Sequence, residues 1–276
     1  MKMSTIFNKN VKTIFAAQAH EGHVFKLLSE LLQNNIRVAC FEIDKDGIKL
    51  KMIDHHRHIL IDLNLVAEHF NVYQYEHTEK KMYLGINLNH FYKMLKSIKK
   101  KDSIILFIED KNRNNLGIQV IPKEKDRVST SYITIQSIQN LDIDTPTGYG
   151  KPIIVSSAEY QKMCKDMNNI GSTISIETCG SQIKFSCDAS NVYSREVTFG
   201  TNNENVKTID YSVNFETEKL ARITKIAGLH TTMKIFPKKG LPLLFKSSVG
   251  SLGDIFIYIK SKDQIDNESV NPDDDE

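Results

Sequence analysis

Asp54-His55-His56-Arg57-His58 is the densest run of reactive side chains in this 276-residue sequence. Histidines beside a carboxylate can hold a transition metal and support phosphoester hydrolysis. That chemistry needs further Asp and His motifs in a parallel α/β setting, and the sequence contains neither. The run is therefore expected to be a polar loop after a strand. Asp44 and Asp46 belong to a Lys45-Asp46-Gly47 hairpin turn. No GxSxG, phosphate-binding P-loop or GxGxxG stands anywhere in the chain. Cys40, Cys164, Cys179 and Cys187 show no CxxC spacing, and reduced, mostly buried thiols are expected. A non-enzymatic protein without metal or cofactor is the expectation.

The other group of residues with a pattern is basic. Thirty-six Lys and Arg are balanced by 34 Asp and Glu, a net charge of +2. A nucleic-acid ligand would then require the basic side chains to be gathered on one surface. Four segments show helical period: Val24, Leu27, Leu28, Leu31; Phe91, Met94, Leu95, Ile98; Tyr160, Met163, Cys164, Met167; and Leu220, Ile223, Thr224, Ala227. Each predicts a helix of about three turns against a sheet. Two places after each first anchor stand Lys26, Lys93, Lys162 and Arg222, and five places after stand Ser29, Lys96, Lys165 and Lys225. Both positions lie about 150° from the centre of the apolar stripe, so each outer face is expected to be positive. Lys100, in the lysine run after the second helix, joins this set. A lysine on one amphipathic helix is an ordinary solvated residue; one register repeated on four helices points to phosphate neutralisation. No aromatic residues interleave with these lysines, and no recognition helix is evident. The expected contacts are to a nucleic-acid backbone only, without sequence preference.

The elements that position these residues alternate. Predicted strands are Arg37–Ile43, Gly47–Ile53, Ile59–Leu65, Ser103–Glu109, Leu116–Ile121 and Tyr132–Ile138, then Ile153–Ser156, Thr173–Thr178, Gln182–Cys187, Glu196–Gly200, Thr208–Val213, Thr232–Phe236, Leu241–Ser247 and Asp254–Ile259. The order helix, strands, helix, strands occurs twice, an internal duplication in the α+β class. It divides the chain into an N-terminal domain over 11–138, a connector over 139–151, a C-terminal domain over 152–262 and an acidic tail over 263–276. Asn271–Glu276 is expected to be disordered. There is no secretory signal at Met1–Lys12, and no stretch is long and apolar enough for a membrane helix, so a soluble intracellular protein is expected.

Over nearly its whole length the chain resembles the proliferating cell nuclear antigen (PCNA) family of DNA sliding clamps. The resemblance rests on ACFEIDKDGIKLKMID, LGINLNHFYKMLKSIKKKDSIIL, SAEYQKMCKDMNNIGSTISIE and LPLLFKSSVGSLGDIFIYIK, in that order and spacing. It implies a DNA clamp fold of two duplicated domains, each with two helices packed on curved antiparallel sheets. Three chains would assemble head to tail as a closed ring, with the basic helices lining the hole and Lys26, Lys93, Lys96, Lys162, Lys165 and Lys225 falling where the family faces double-stranded DNA. Leu116–Ile121 of one chain would pair with Arg195–Thr201 of the next. Partners implied are a DNA polymerase and other proteins carrying PCNA-binding peptides, a clamp loader, and further copies of the chain. The compartment implied is the nucleus or a viral replication site. The family's pocket for a hydrophobic peptide plug falls on Ile53, Asp54, Arg57, His58 and Leu60, on the linker around Leu141, Pro146 and Tyr149, and on Pro242, Tyr258 and Ile259. Lys260 and Ser261 replace the family's alanine-proline pair after the last strand, and Gly180 stands where the family has a modifiable lysine. Rival readings are a subunit of a heterotrimeric checkpoint-type clamp and, remotely, a DHH-type metal-dependent phosphoesterase.

Overall fold

The computed structural model describes residues 12–124, 127–190, 192–201 and 211–270. The expectations for the first ten residues, for the start of a strand at Thr208 and for a disordered Asn271–Glu276 lie outside these. The chain forms two compact units. One comprises the chain up to Lys51, Leu63–Leu141 and Gly250–Gly253; the other comprises Met52–Asp62, Asp142–Val249 and the chain from Asp254.

The first unit carries β1 (Thr13–Ala19), α1 (Gly22–Gln33), β2 (Val38–Asp44), β3 (Gly47–Ile53), β4 (Ile59–Val66), β5 (Val72–Tyr75), β6 (Met82–Asn87), α2 (Leu88–Leu95), β7 (Ser103–Glu109), β8 (Asn112–Ile121) and β9 (Ser129–Thr134). One antiparallel sheet runs β5-β1-β7-β8-β9; in the other, β6, β2 and β3 are neighbours. β1, β5 and β6 were not expected. β1 is nearly all buried, so the sequence TIFAAQA shows none of the alternation that marks a half-exposed strand. α2 begins where the Asn87 side chain accepts from the His90 amide at 3.1 Å. Gly22 opens α1 because a Cβ there would lie 2.7 Å from the Asp102 carbonyl oxygen. Packing of the two helices on the sheets leaves an apolar cavity of about 30 Å³, lined by Phe25, Leu28, Phe91 and their neighbours. That is room for about one water, too little for an organic ligand.

The second unit carries β10 (Ile153–Ser156), α3 (Ser157–Asn168), β11 (Thr173–Cys179), β12 (Gln182–Asp188), β13 (Ser194–Phe199), β14 (Ser212–Glu216), α4 (Thr217–Arg222), β15 (Thr232–Phe236), β16 (Leu243–Val249), β17 (Gly253–Ile259) and α5 (Lys262–Val270). A four-stranded sheet runs β13-β12-β11-β14. A second runs β10-β15-β16-β17, with residues 59–62 of β4 beside β17. Ser156 and Glu159 have capping-box spacing, and the Ser156 hydroxyl accepts from the Glu159 amide at 3.4 Å to start α3. The strand-helix-strand-strand order of β1–β3 returns in β6–β8, β10–β12 and β14–β16. The duplication is therefore fourfold at the level of this motif.

Two expectations change. α4 is six residues and gives way at Ile223 (φ −95°, ψ 3°) to a 3-10 turn over Thr224–Gly228, not one three-turn helix. Ile223 and Thr224 are both β-branched, and the Thr224 hydroxyl donates to the Ala221 carbonyl at 2.8 Å, which favours a break there. The acidic tail expected from 263 is helical through Val270. The Ser261 hydroxyl accepts from the Gln264 amide at 3.2 Å, and Lys260 pairs with Glu268 at 2.6 Å.

The sheet edges also differ from expectation. Leu116–Ile121 lies in β8, which is paired on both sides, so it has no free edge to offer. The edge belongs to β9. The Ile135 amide donates to Asn114 at 2.8 Å, which sets the parity: Ile133 and Ser131 face β8, while the main-chain groups of Thr130, Tyr132 and Thr134 point away from it. β13 is the corresponding edge of the second unit. The Ala189 amide donates to Tyr193 at 2.9 Å, so Ser194, Glu196 and Thr198 point outward. Val128 and Tyr132 near one edge, and Val192 and Tyr193 near the other, are exposed apolar side chains.

Candidate nucleic-acid interface and apolar pocket

The basic positions separate into two groups. Lys93 and Lys96 at the end of α2, Lys100 beyond it, and Lys162 and Lys165 on α3 are exposed. Among the described residues none of the five has a carboxylate within ion-pair distance; Asp166, next to Lys165, is taken by Arg195 at 2.8 Å. Lys99 and Lys101 are exposed as well and flank Lys100 in the first unit. The flanking lysines of the Lys99–Lys101 run were the available signal for them.

The remaining positions are less available. Lys26 is half-buried, with Nζ 3.5 Å from the Ile98 carbonyl. Ser29 is fully buried and bonds the Lys26 carbonyl. The buried face of α1 includes Phe25, Leu28 and Leu32 as well as Val24 and Leu31, so its centre is rotated from the expected stripe and the fifth position falls inside. Arg222 is engaged by Glu218 at 2.6 Å, and the guanidinium holds that carboxyl below the usual carboxylate range. Lys225 is half-buried. Among these candidate positions the freely presented positive charge is therefore that of α2, α3 and the loop after α2.

A second feature lies on the exposed side of β15, β16, β17 and the start of β4. Leu60, Leu244 and Tyr258 form an apolar cluster, and Ile53, Ile143, Tyr149, Phe236 and Phe256 pack against it. Four of the residues expected at a peptide pocket, Ile53, Leu60, Tyr149 and Tyr258, are thus brought together. Pro242 is joined to them through its carbonyl, which accepts the Tyr149 hydroxyl at 2.7 Å. Burial, reinforced by Tyr258, pushes the Tyr149 phenol well up. Three expected residues stand elsewhere. Leu141 is 61% exposed, and Ile143 is the linker residue that packs on the cluster. Ile259 is fully buried, since alternation along β17 turns it away from the face that carries Tyr258. Pro146 is half-buried and not part of the cluster.

Asp54, Arg57 and His58 build the loop beside the cluster. Asp54 is buried, and its Oδ1 accepts from the His58 and Ile59 amides at 2.7 and 2.8 Å. Arg57 adopts a left-handed φ of 58° and is exposed. The rings of His55, His56 and His58 face one another, with centroids 5.2 and 5.9 Å apart. Among the described residues no three His, Cys, Asp or Glu side chains form a group that could hold a metal ion. The four cysteines are free, three of them buried and Cys179 exposed.

His58 is tied to α4. Lys219 is only 5% exposed, and its ammonium meets both His58 Nδ1 and, at 3.0 Å, the Glu216 carboxylate. An ammonium has only donors, so His58 accepts on Nδ1 and the structure requires the neutral ring. Burial first and Lys219 second hold the imidazole below its ordinary 6.5. Asp54 and Glu216 oppose them, and His56 adds to the lowering. With the folded value below the unfolded one, the unfolded chain binds more protons in the interval between them. This contribution to stability is complete above about 6.5 and is lost as pH falls through that value. Thermal melts across pH 5–8 are expected to show a midpoint that drops on the acid side, with a shallower drop in His58→Gln. An identical acid-side slope in the variant would assign the loss to other groups.

A duplicated fold with lysine-bearing helices in both units and an apolar cluster on a sheet face defines the DNA-clamp class. The chain belongs to the proliferating cell nuclear antigen family: residues 14–145 match its N-terminal domain and residues 145–262 its C-terminal domain. It is similar to a protein named probable DNA polymerase sliding clamp 1 from Paramecium bursaria Chlorella virus 1, at 25% identity over 89% of this chain and 96% of the relative. It is also similar to uncharacterized protein 436R of Invertebrate iridescent virus 6, at 26% identity over 84% of this chain and 83% of the relative.

Proposed function

We propose that this DNA sliding clamp works as a closed ring of three identical chains, joined head to tail, that encircles duplex DNA and tethers a DNA polymerase to it. The observation that carries this reading is the set of exposed lysines on α2, α3 and the loop after α2, without ion pairs among the described residues, in a chain whose net charge is only +2. Such a surface binds phosphates regardless of sequence, and contacts of that kind permit sliding. Lys26, Arg222 and Lys225 take a lesser part. The ring is supported by the two sheet edges. β9 and β13 each present three outward-pointing residues, and both stand on one chain, as head-to-tail self-assembly requires. Pairing is between β9 and β13, not between β8 and β13.

The chain performs no chemistry itself. A clamp loader opens the ring, and partner proteins dock short peptides at the Leu60–Leu244–Tyr258 cluster. Its compartment is wherever the genome is copied, the nucleus or a viral replication site; the viral source of both relatives favours the latter.

Topology tests the proposal directly. Labelled protein loaded by a clamp loader and ATP onto nicked circular DNA should co-elute with the DNA in high salt. Cutting the circle once should release it. Equal retention on linear and circular DNA would mean that the protein binds a surface and does not encircle the duplex.

A further inference from the structure

The apolar cluster is closed. Its floor residues Leu60, Leu244 and Tyr258 are 8, 5 and 7% exposed. The cover is the irregular strap over 142–152, which contributes Ile143 and Tyr149. The Tyr149 ring centroid lies 6.1 Å from that of Tyr258 and 6.3 Å from that of Phe236. Among the described residues, the one hydrogen bond from the strap to another element is the Tyr149 hydroxyl to the Pro242 carbonyl. On either side stand Gly148 and Gly150, where an added Cβ would meet nothing within 4 Å, and Gly148 has a left-handed φ of 87°. The strap is held at the tyrosine and loose beside it.

We propose that Tyr149 is the gate of the partner pocket: its ring sits where a partner's anchoring aromatic side chain must go, and it swings out about Gly148 and Gly150 to admit one. The gate rests on reading the cluster as the peptide site. Its geometry also describes the ligand, an aromatic side chain that packs against Tyr258 and Phe236, with a donor for the Pro242 carbonyl that opening leaves bare. A closed gate lowers apparent affinity by the fraction of time the pocket is open. Removing the gate should therefore strengthen binding.

The probe is a fluorescein-labelled synthetic peptide with a hydrophobic plug ending in paired aromatic residues, titrated into the full chain by anisotropy. Tyr149→Ala should raise affinity about threefold or more and speed association. Tyr149→Phe, which loses only the Pro242 bond, should give a smaller rise in the same direction. Tyr258→Ala should weaken binding tenfold or more. If Tyr149→Ala weakens binding, or leaves it unchanged, while Tyr258→Ala abolishes it, the pocket stands and the gate is wrong. If neither substitution alters affinity, the pocket itself is misplaced and the gate fails with it. A second readout does not depend on affinity. The chain has no tryptophan, so Tyr149→Trp provides a sole indole reporter. Saturating peptide should shift its emission to the red and increase iodide quenching as the ring moves to solvent. A blue shift, showing a ring buried beneath the peptide, would make Tyr149 a wall of the pocket and overturn the gate.

Discussion

Thr130→Pro is expected to yield a folded chain that elutes as a single copy of 31.5 kDa, where the unaltered protein should elute at three times that mass. The Thr130 amide points away from β8, so proline at this position costs no main-chain bond within the sheet and loses only the exposed bond from Gln119 Nε2 to the Thr130 hydroxyl at 3.3 Å. What it removes is an outward donor on the β9 edge, and it places a ring where the next chain's β13 would approach. A carbonyl left unpaired in a buried strand junction costs about 1–3 kcal/mol, roughly 10–100-fold in the dissociation constant of each junction. Thr198→Pro on β13 should have the same effect from the other side, because Thr198 also points outward. Light scattering at micromolar concentration reads the result, with circular dichroism reporting that the fold is kept. Trimers that survive both substitutions would show that the ring closes through other strands.

Reversing four charges, Lys93→Glu, Lys96→Glu, Lys162→Glu and Lys165→Glu together, should abolish stimulation of a polymerase on long templates while leaving assembly intact. All four side chains are exposed and make no ion pair among the described residues, so their replacement breaks no internal salt bridge. Every phosphate that goes without its lysine lowers the slope of log affinity against log salt by about 0.9, so the salt dependence itself should flatten. Arg222→Gln is the internal control. Its guanidinium is already neutralised by Glu218, and its removal should change DNA retention little. Normal processivity in the fourfold variant would place the DNA elsewhere.

Much of this was legible in the amino-acid order because it depends on local period. The anchors Phe91, Leu95 and Ile98, and Tyr160, Met163 and Met167, are buried, and the lysines set two and five places after Phe91 and Tyr160 are exposed. The same rule failed on α1. There the buried face is widened by Phe25 and Leu32, so a spacing counted from Val24 misjudges which way Ser29 points. It failed again on α4, where the chain leaves the helix at Ile223 and the later positions no longer follow 100° per residue. The edge strand was misread for a related reason. β8 is apolar and reads strongly as a strand, yet strength of pattern marks an interior strand. β9, with its Ser, Thr and Tyr, reads weakly because one side of it is left free.

The sequence by itself determined that the chain is a duplicated α+β clamp of the PCNA family and that lysines stand on the outer faces of α2 and α3. Periodicity and motif order are local properties, and near-neutral composition leaves few other places for a DNA surface. Only the tertiary structure decided which of the candidate lysines are free, which strands are edges and what covers the apolar cluster. Those outcomes depend on side chains that meet across long stretches of chain: His58 and Lys219 are 161 residues apart, and Tyr149 and Pro242 are 93 apart. A hydrogen bond between such residues leaves no period in the sequence. Tyr149 could be placed near Tyr258 by resemblance, but its ring packing on the apolar cluster, with a glycine on each side, became visible only once the sheet beneath it was folded.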